Sequence, residues 1–502
     1  MTSALDDIFQ PPETRAGKIR RLRRRISFGT VVVVLAVVIG WLTLEKIHTC
    51  GSSVYQVDGE CVGVTDGSYH FDPAFTDIEG KIASENAAVR VGASSYVTVA
   101  LLDLLTPTST SAESAANIRN ELEGAYTAQQ RYNDELHNTK KIQLVLANQG
   151  DTDAQWQQVS GRLVEMTKGA NPLVAVIGLG VSTTQTQQRA KDLSSYGIPM
   201  VGSGINADEL DYTHIPGLIR VSPANLDFAE ALRPYVDAHN KLRSAVMVYD
   251  SNSDSRGDLF TQSLRDDLQK KFQYLINGRP SLSFVGASIP TPDDPDTFDV
   301  TVTPNLCGTP PTDVVFYAGR EVDLGGFLDS LAGRQCRATP LTVITAADIG
   351  DLLSKREQQL RTANLTVVYA GTSYAQGWGH GVAGTPQYYR DFLTVFRRYG
   401  FHDEDLVDGE VIEMHDAFLT AADAVGLVTA SDPSPTAAKV ASVLLNLNGA
   451  HPVQGASGTL SFSFRQTGAG NPINKPVPVL TFPSPPDEPY GQQVVMPVYL
   501  TP

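Results

Sequence analysis

Short apolar runs alternate with amphipathic stretches along most of this chain, from about residue 89 to residue 430. The runs are typical of buried strands, whereas the stretches between them repeat apolar residues every three or four positions, as surface helices do. This alternation predicts an α/β fold of βαβ units, in which parallel sheets are covered by helices on both faces. Predicted strands occupy 91–102, 142–148, 173–178, 199–202, 244–250, 283–286, 314–318, 341–345 and 366–370, and predicted helices occupy 113–135, 152–169, 183–196, 226–240, 258–272, 324–333, 386–399 and 414–429.

A different pattern stands near the N-terminus, where uncharged, mostly apolar residues at 26–44 follow directly on a segment rich in Lys and Arg. As a helix, such a run just crosses a hydrocarbon core of about 30 Å. We therefore expect a single-pass transmembrane anchor at 26–44, a basic cytoplasmic tail at 1–25 and an extracellular body. A cleaved export signal is the alternative, although no small-x-small cleavage site follows the run. A helix buried in a soluble core is disfavoured, because the run has no polar face.

The body beyond the anchor is large and acidic. Its roughly 450 residues exceed what one hydrophobic core usually supports, so two lobes are expected. The whole chain has a formal net charge of −16 and the tail carries +4, which leaves the body near −20. Because such a body repels phosphates, nucleic acid is excluded as a partner, and contact with the membrane is assigned to the anchor alone.

Four cysteines stand as two sequence pairs, Cys50 with Cys61 and Cys307 with Cys336. On the oxidising side of a membrane each pair closes a modest loop, which favours two disulfides. A zinc site is the alternative, but neither a Cys-x-x-Cys spacing nor neighbouring histidines support it. We therefore predict no metal and no cofactor, and an extracellular linker at 45–88 that carries a disulfide-closed cap.

One loop suggests a ligand site. The predicted strand 173–178 leads into the glycine-containing segment 177–185, IGLGVSTTQ, in which Ser182 or Thr183 can cap the next helix. A helix start with hydroxyl groups and free backbone N–H groups is suited to bind a carboxylate. The alternative is that these hydroxyls only cap the helix, and this segment alone leaves both interpretations open.

Six segments in chain order are similar to those of one known family. AVIGLGVSTTQTQQRAKDLSSYGIPMVGSGINADEL at 175–210 resembles a strand, a Ser-Thr loop, a helix, a Gly-Ile-Pro strand and a second polar loop. GLIRVSPANLDFAEAL at 217–232 resembles a crossover. Four further similar segments follow in chain order, namely 244–260, 312–328, FLTVFRRYGF together with HDAFLTAADAV, and 455–480. On these residues the chain resembles type I periplasmic binding proteins, specifically the branched-chain amino-acid (leucine/isoleucine/valine-like) substrate-binding proteins of ABC importers.

The resemblance implies two doubly wound parallel-sheet lobes, joined by a hinge of three crossings, that close on a small ligand. Lobe 1 would contain 89–221 and 376–455, and lobe 2 would contain 222–375 and 456–502. In the family, two loops of lobe 1 hold the ligand carboxylate. Matched onto this chain, those loops offer Ser182, Thr183, Thr184, Gly204, Ile205 and Asn206.

The lobe 2 side of the implied site is polar. Asp348 matches the region of the acidic residue that binds the ligand ammonium in the family. The family's aromatic wall maps near Ser255, Arg320 and Glu321, so the resemblance implies a polar ligand rather than an aliphatic one. His415 stands where the family commonly has Tyr, and we expect it to be a hinge or packing residue.

No catalytic motif is evident, since GxSxG, HExxH and GxxxxGK are absent from the sequence, and we predict that the protein is not an enzyme. The resemblance implies capture of a small polar, amino-acid-like ligand for an ABC permease. Two alternatives stay open: a ligand sensor that acts through a membrane partner, and an interaction scaffold with a degenerate pocket.

Overall fold

The computed structural model describes residues 49–92, 95–108, 111–136, 138, 140–151, 155–239, 241–276, 278–287, 298–308, 312–464, 468–485 and 491–502. The predicted cytoplasmic tail at 1–25 and the predicted anchor at 26–44 lie outside these residues. Within them, every helix is either too short or too polar to cross a bilayer.

The first half of the chain builds an eight-stranded sheet from β1 (Thr49–Gly51), β2 (Val54–Val57), β3 (Glu60–Thr65), β4 (Tyr96–Asp103), β5 (Lys141–Asn148), β6 (Leu173–Gly178), β7 (Met200–Gly202) and β8 (Leu218–Arg220). The spatial order is β1-β2-β3-β5-β4-β6-β7-β8, and β4 to β8 run parallel. β4, β5 and β6 are buried along nearly their whole length, as parallel strands covered on both faces must be.

The N-terminal edge of this sheet differs from the expected linker at 45–88. β1, β2 and β3 form an antiparallel meander that pairs with β5, because the apolar residues of β3 need burial that a linker would not provide. The predicted disulfide between Cys50 and Cys61 is present and joins β1 to β3. The helix Thr76–Gly92 then packs on β5, which explains why the strand predicted to begin at 91 begins only at Tyr96.

A second sheet follows, with β9 (Ala245–Asp250), β10 (Leu282–Phe284), β11 (Val314–Ala318), β12 (Leu341–Ala346) and β13 (Leu365–Ala370) all parallel. The chain next forms the short antiparallel pair β14 (Val453–Gln454) and β15 (Thr459–Leu460), and then β16 (Pro476–Val477). It finally adds β17 (Val479–Phe482) and β18 (Gln492–Gln493) as antiparallel strands at the edge of this second sheet. The order is β10-β9-β11-β12-β13-β17-β18, and β19 (Tyr499–Leu500) pairs with β16. The predicted disulfide between Cys307 and Cys336 is also present.

All nine predicted strands and all eight predicted helices are found, with ends that differ by a few residues. The helix predicted at 414–429 begins earlier, at Glu410, after Gly409 adopts a positive φ of 83°. The α-helices are Thr76–Gly92, Ala115–Asp134, Trp156–Met166, Thr184–Ser195, Asn225–Ala238, Asn252–Ser255, Leu259–Lys271, Gln273–Ile276, Phe298–Thr301, Thr303–Leu306, Glu321–Ala332, Gly350–Ser354, Glu357–Thr362, Ala375–Gly379, Tyr389–Arg398, Glu410–Thr429 and Ala437–Val443, and 3₁₀ turns lie at Pro73–Phe75, Asp403–Leu406 and Leu444–Asn446.

Each sheet organises one lobe, and the chain passes between the lobes three times. After β8 it enters the second lobe, where the helix Asn225–Ala238 packs on β12 and β13. After β13 it returns, and the helix Glu410–Thr429 packs on β6, β7 and the helix Ala115–Asp134 of the first lobe. It finally crosses again to add β17 to the second sheet. The described residues thus form two α/β lobes, as the resemblance implies, but each sheet is mixed and not wholly parallel, because antiparallel strands extend one edge of each.

The two disulfides offer a test of how the body is stabilised. In the chain-entropy picture, closing 11 residues between Cys50 and Cys61 stabilises by about 3 kcal/mol, and closing 29 residues between Cys307 and Cys336 by about 3.5 kcal/mol. We expect each double Cys→Ser variant to lower the free energy of unfolding by roughly 2–4 kcal/mol in denaturant titrations, with the second pair at least as costly. Free thiols in the wild-type protein under non-reducing mass spectrometry would contradict both pairings.

Candidate functional site

A small cavity of about 80 Å³ lies between the two lobes. Residues after β6 and β7 line it from the first lobe, and residues after β11 and β12 line it from the second. Ligands of open α/β sheets bind at these carboxyl ends, where the loops can be varied without disturbing the sheet. Five residues predicted from the sequence line the cavity, namely Gly204, Asn206, Arg320, Glu321 and Asp348.

The turn that follows β6 directs the chain towards the second lobe. Gly178, Leu179 and Gly180 have positive φ angles of 86°, 88° and 62° in succession. A Cβ on Gly178 would lie 3.0 Å from the backbone oxygen of Leu102, so glycine also allows the turn to approach β4. Leu179 adopts this costly conformation while fully buried. The turn thereby places residues 181–184 at the border between the lobes.

The polar groups of the 182–184 loop are largely bound within the protein. The Thr183 hydroxyl accepts a hydrogen bond from the Thr186 N–H at 3.1 Å and caps the helix Thr184–Ser195. The Ser182 hydroxyl accepts from the N–H groups of Asn206 and Ala207, at 3.0 and 3.3 Å. The structure therefore shows the capping interpretation of this loop, and its carboxylate-binding role stays a prediction.

Contacts across the cleft hold the same loop against the second lobe. The Thr184 N–H donates to the backbone oxygen of Gly257 at 2.9 Å, and the Phe260 N–H donates to that of Ser182 at 3.2 Å. Asn117, on the first lobe, donates from its side-chain amide to Glu321 of the second lobe at 3.4 Å. The lobes are thus in direct contact around the cavity, which corresponds to a closed arrangement.

Arg320 is the positively charged residue at this contact between the two lobes. Its guanidinium donates to both carboxylate oxygens of Asp258, at 3.0 and 2.8 Å, and to the backbone oxygen of Ser182 at 3.3 Å. The Phe260 ring lies 5.4 Å from the guanidinium carbon. Asp258 is fully buried and Arg320 nearly so, so the two charges neutralise each other and the cation is engaged.

Carboxyl groups dominate the rest of the cavity wall. Burial and, after it, the charge of Asp408 raise the pKa of Glu321 to about 8. Burial likewise raises the pKa of Asp348 to about 7, although its Oδ1 accepts hydrogen bonds from the N–H and hydroxyl of Thr372 at 2.9 and 3.0 Å. Burial and the charge of Asp348 raise the pKa of Glu410 well above its usual value. The cavity therefore binds protons tightly when it holds no other cation.

Five other predicted site residues and His415 lie outside the cavity lining. Ile205 is fully buried in the core of the first lobe. Ser255 ends the short helix Asn252–Ser255 on the exposed surface, so it does not replace an aromatic wall. His415 is buried, with its Nδ1 2.8 Å from Asp416 and its ring 4.7 Å from that of Phe392, and burial lowers its pKa. It is a packing residue, as expected. The remaining predicted residues are Ser182, Thr183 and Thr184, described above.

Sequence reasoning missed five polar and aromatic residues of the lining, which are Glu113, Asn117, Phe228, Phe260 and Glu410. Glu410 was missed because the predicted helix began four residues too late, and Glu113 because it was assigned to a helix that begins only at Ala115. The two phenylalanines come from helices that the resemblance did not connect with the site. For these two phenylalanines the sequence offered one signal, an apolar residue near the start of a helix, and that is weak evidence for a ligand site.

No protein-family model matches the chain, and no curated protein matches it by sequence. Solved structures do match. A leucine-binding protein from Thermotoga maritima is 16% identical, with a TM-score of 0.58 over 81% of this chain and 99% of that one. A branched-chain amino-acid ABC transporter protein from Thermus thermophilus with bound valine is 13% identical, with a TM-score of 0.59 over 82% and 97%. The likeness extends to a solute-binding protein from Rhodopseudomonas palustris in complex with p-hydroxybenzoic acid, 14% identical, with a TM-score of 0.57 over 81% and 97%.

These neighbours establish that the chain has the type I periplasmic binding fold, as the resemblance implied. Their ligands, leucine, valine and an aromatic acid, are properties of those proteins. At such low identities the fold is shared while the side chains that line the cleft are free to differ.

The raised carboxyl pKa values predict how stability depends on pH. Glu321 and Asp348 hold their protons more tightly in the folded protein than in the unfolded chain, so folding loses stability as the pH rises from about 4 towards 8. We expect a higher melting temperature at pH 5.5 than at pH 8.5 for ligand-free full-length protein in detergent. Each kcal/mol lost lowers the melting temperature by about 2–4 °C.

The variant Glu321→Gln should reduce this difference, because the amide has no proton to lose. The matched control is Asp329→Asn, an exposed position on the same helix. Equal pH dependence in Glu321→Gln and in wild type would contradict the assignment of the effect to this cavity.

Proposed function

We propose that the protein captures a small polar solute in the cavity between its lobes and delivers it to a membrane permease of the ABC class. The observation that carries the proposal is the cavity itself, which both lobes line at the carboxyl ends of their parallel strands. A ligand that touches both lobes stabilises the closed arrangement by its differential affinity for that state. Closure is then the signal by which a permease distinguishes loaded from empty protein.

Binding rather than catalysis fits the residues of the cleft. The described residues of the lining supply carboxyl groups, one engaged guanidinium, amides and apolar side chains, and none of them is Ser, Cys or His. A hydroxyl or thiol nucleophile activated by a histidine is therefore not part of the described wall. The solved structures of the same fold that are named above carry ligand-binding descriptions, which supports the same assignment.

We also propose that residues 26–44 anchor this body to the outer face of the cell membrane. The length of the apolar run and the basic segment before it support the anchor, and two disulfides suit an oxidising compartment. An anchored binder would stay close to its permease by diffusing in two dimensions.

A variant that fills the cavity tests solute binding without knowledge of the ligand class. Gly204 lines the cavity with a negative φ, and a Cβ there would meet only the Glu113 carboxylate at 4.0 Å. We expect Gly204→Met to fold normally and to lose at least about tenfold in affinity for whatever ligand raises the wild-type melting temperature. The matched control, Gly161→Met, lies on an exposed helix position with nothing near its Cβ and should bind as wild type does.

The screen that precedes this comparison uses amino acids, amines, sugars and aromatic acids, with melting temperature as the readout and titration calorimetry as confirmation. A saturable shift that Gly204→Met abolishes supports the proposal. A folded protein that responds to no class, or a shift that Gly204→Met retains in full, rejects solute capture in this cavity and leaves the scaffold alternative.

The anchor is tested in cells. Full-length protein should sediment with membranes and resist extraction by high salt, whereas a chain that lacks residues 1–44 should be recovered in the soluble fraction. Mass spectrometry of the mature N-terminus distinguishes the alternative: loss of the first 44 or so residues from wild-type protein would identify a cleaved export signal.

A further inference from the structure

The cavity has an excess of negative charge on both of its sides. Glu113 and Glu410 line it from the first lobe, and Glu321 and Asp348 line it from the second. Asp408, which accepts a hydrogen bond from the Asp351 N–H at 2.8 Å, adds to the negative potential around Glu321 and Glu410. Groups of like charge this close cannot all be ionised in an empty cavity, so a cation is the species that would satisfy them.

The part of the chain that the structure describes supplies no free cation to this wall. Among the described residues that line the cavity, Arg320 is the one basic side chain, and its guanidinium is bound by Asp258 and Ser182. The nearby Lys475 ammonium is fully buried in an ion pair with Glu413. The missing positive charge must therefore come with the ligand.

The same geometry disfavours a ligand carboxylate. The helix start where an anion would dock is occupied, because the Thr183 hydroxyl caps it and the Thr184 N–H is bound to Gly257. The side-chain amide of the second loop is also bound within the protein, because that of Asn206 donates a hydrogen bond to the backbone oxygen of Pro223 at 3.0 Å. A carboxylate would therefore enter next to four acidic side chains, whose charges repel it.

A second polar position lies behind Glu113. One carboxylate oxygen each from Asp103, Glu113 and Glu121 lie within 4.8 Å of one another. A primary ammonium that donates three hydrogen bonds of about 2.8 Å spreads its acceptors to roughly 4.6 Å, which this trio can match. Asp103 and Glu121 are 0% and 2% exposed, and burial, the charge of Asp103 and a hydrogen bond between the two carboxyl groups raise the pKa of Glu121.

The side-chain amide of Gln149 is a second, independent indication of a ligand at this position. Gln149 is fully buried, and within the described part of the chain neither its amide nitrogen nor its amide oxygen has a hydrogen-bond partner. Its Nε2 and Oδ1 of Asp103 lie 3.4 and 3.3 Å from the point that a Cβ would occupy on Gly180. Buried amides are nearly always hydrogen-bonded, so the unbonded amide of Gln149 beside this acidic trio indicates a position for a polar ligand group.

We propose that the solute captured in this cleft is a small diamine or polyamine. One ammonium group would bind the trio Asp103, Glu113 and Glu121, and a second would bind between Glu321, Asp348 and Glu410 of the two lobes. Phe228 and Phe260 offer apolar wall for the methylene chain between them. This inference rests on the proposed function, since it names the ligand class of the same cavity, and the small cavity volume suits a ligand of few atoms.

Titration calorimetry with full-length protein in detergent tests the ligand class. The probes are 1,4-diaminobutane, 1,5-diaminopentane and spermidine, against propylamine as the one-ammonium control, L-leucine as the amino-acid control, and CaCl₂ and MgCl₂ as metal controls. We expect at least one diamine or polyamine to bind tenfold or more tightly than propylamine, because two carboxylate groups are engaged instead of one.

Isosteric variants assign the two ammonium positions. Asp348→Asn and Glu121→Gln should each weaken binding of the diamine by roughly 30-fold or more, because each removes a buried charge partner while keeping the shape. The control Asp329→Asn, exposed on the helix Glu321–Ala332, should bind as wild type does. Circular dichroism of each variant confirms that it is folded before its affinity is compared.

Binding should also tighten between pH 6 and pH 8.5, since carboxyl groups must release protons to receive the cation. Calorimetry in two buffers of different ionisation enthalpy should detect that release. The charged groups that face Glu321, Asp348 and Glu410 in this range are Asp103, Glu113, Glu121, Asp351, Asp408, Glu413, Arg320, Lys355 and Lys475.

Three results would overturn the inference, and they separate it from the proposed function. Tighter binding of L-leucine than of any amine, unaffected by Asp348→Asn, would reject the amine class and keep solute capture. Micromolar binding of Ca²⁺ or Mg²⁺ without amine binding would identify the acidic trio as a metal site. Absence of binding by every probe here and every class in the wider screen would reject both proposals.

Discussion

The buried ion pair between Arg320 and Asp258 is the interaction on which the charge balance of the cleft depends. Arg320 belongs to the second lobe, yet its guanidinium reaches the backbone of Ser182 in the first lobe. Without Asp258 that guanidinium would be a buried charge without a counterion, and removing one partner of such a pair costs about 3–5 kcal/mol. The pair therefore does two things at once: it holds the guanidinium that donates to Ser182 of the first lobe, and it neutralises the described cation of the cleft.

This neutralisation explains the electrostatics of the cavity. Once Arg320 is bound to Asp258, the lining is left with carboxyl groups from both lobes, whose pKa values rise because burial disfavours their charged forms. Protonation keeps the empty cleft stable at low pH, and a bound cation would replace those protons at higher pH. At identities of 13–16% the shared fold does not fix the charges of the cleft, which is why fold similarity alone does not name the ligand.

Much of the architecture was predictable from the chain because its strands are apolar throughout. β6 and β11 were predicted with the ends they have, since buried parallel strands need continuous apolar runs and turn residues bound them. The meander β1 to β3 was missed because its strands are short and half-exposed, a pattern that a disulfide-closed linker shares. The start of the helix at Glu410 was misplaced because Gly409, not a polar cap, sets its beginning.

The sequence by itself determined the order of strands and helices, the two cysteine pairs, the glycine turn after β6 and the charge of the body, because each of these is written in local pattern or composition. It also indicated Arg320, Glu321 and Asp348 as cleft residues through the resemblance. Only the tertiary structure decided that Arg320 is engaged by Asp258 and that Glu113 and Glu410 join the other carboxylates. Those contacts unite residues from distant parts of the chain, and whether a charge is free or neutralised depends on the partner that folding brings to it.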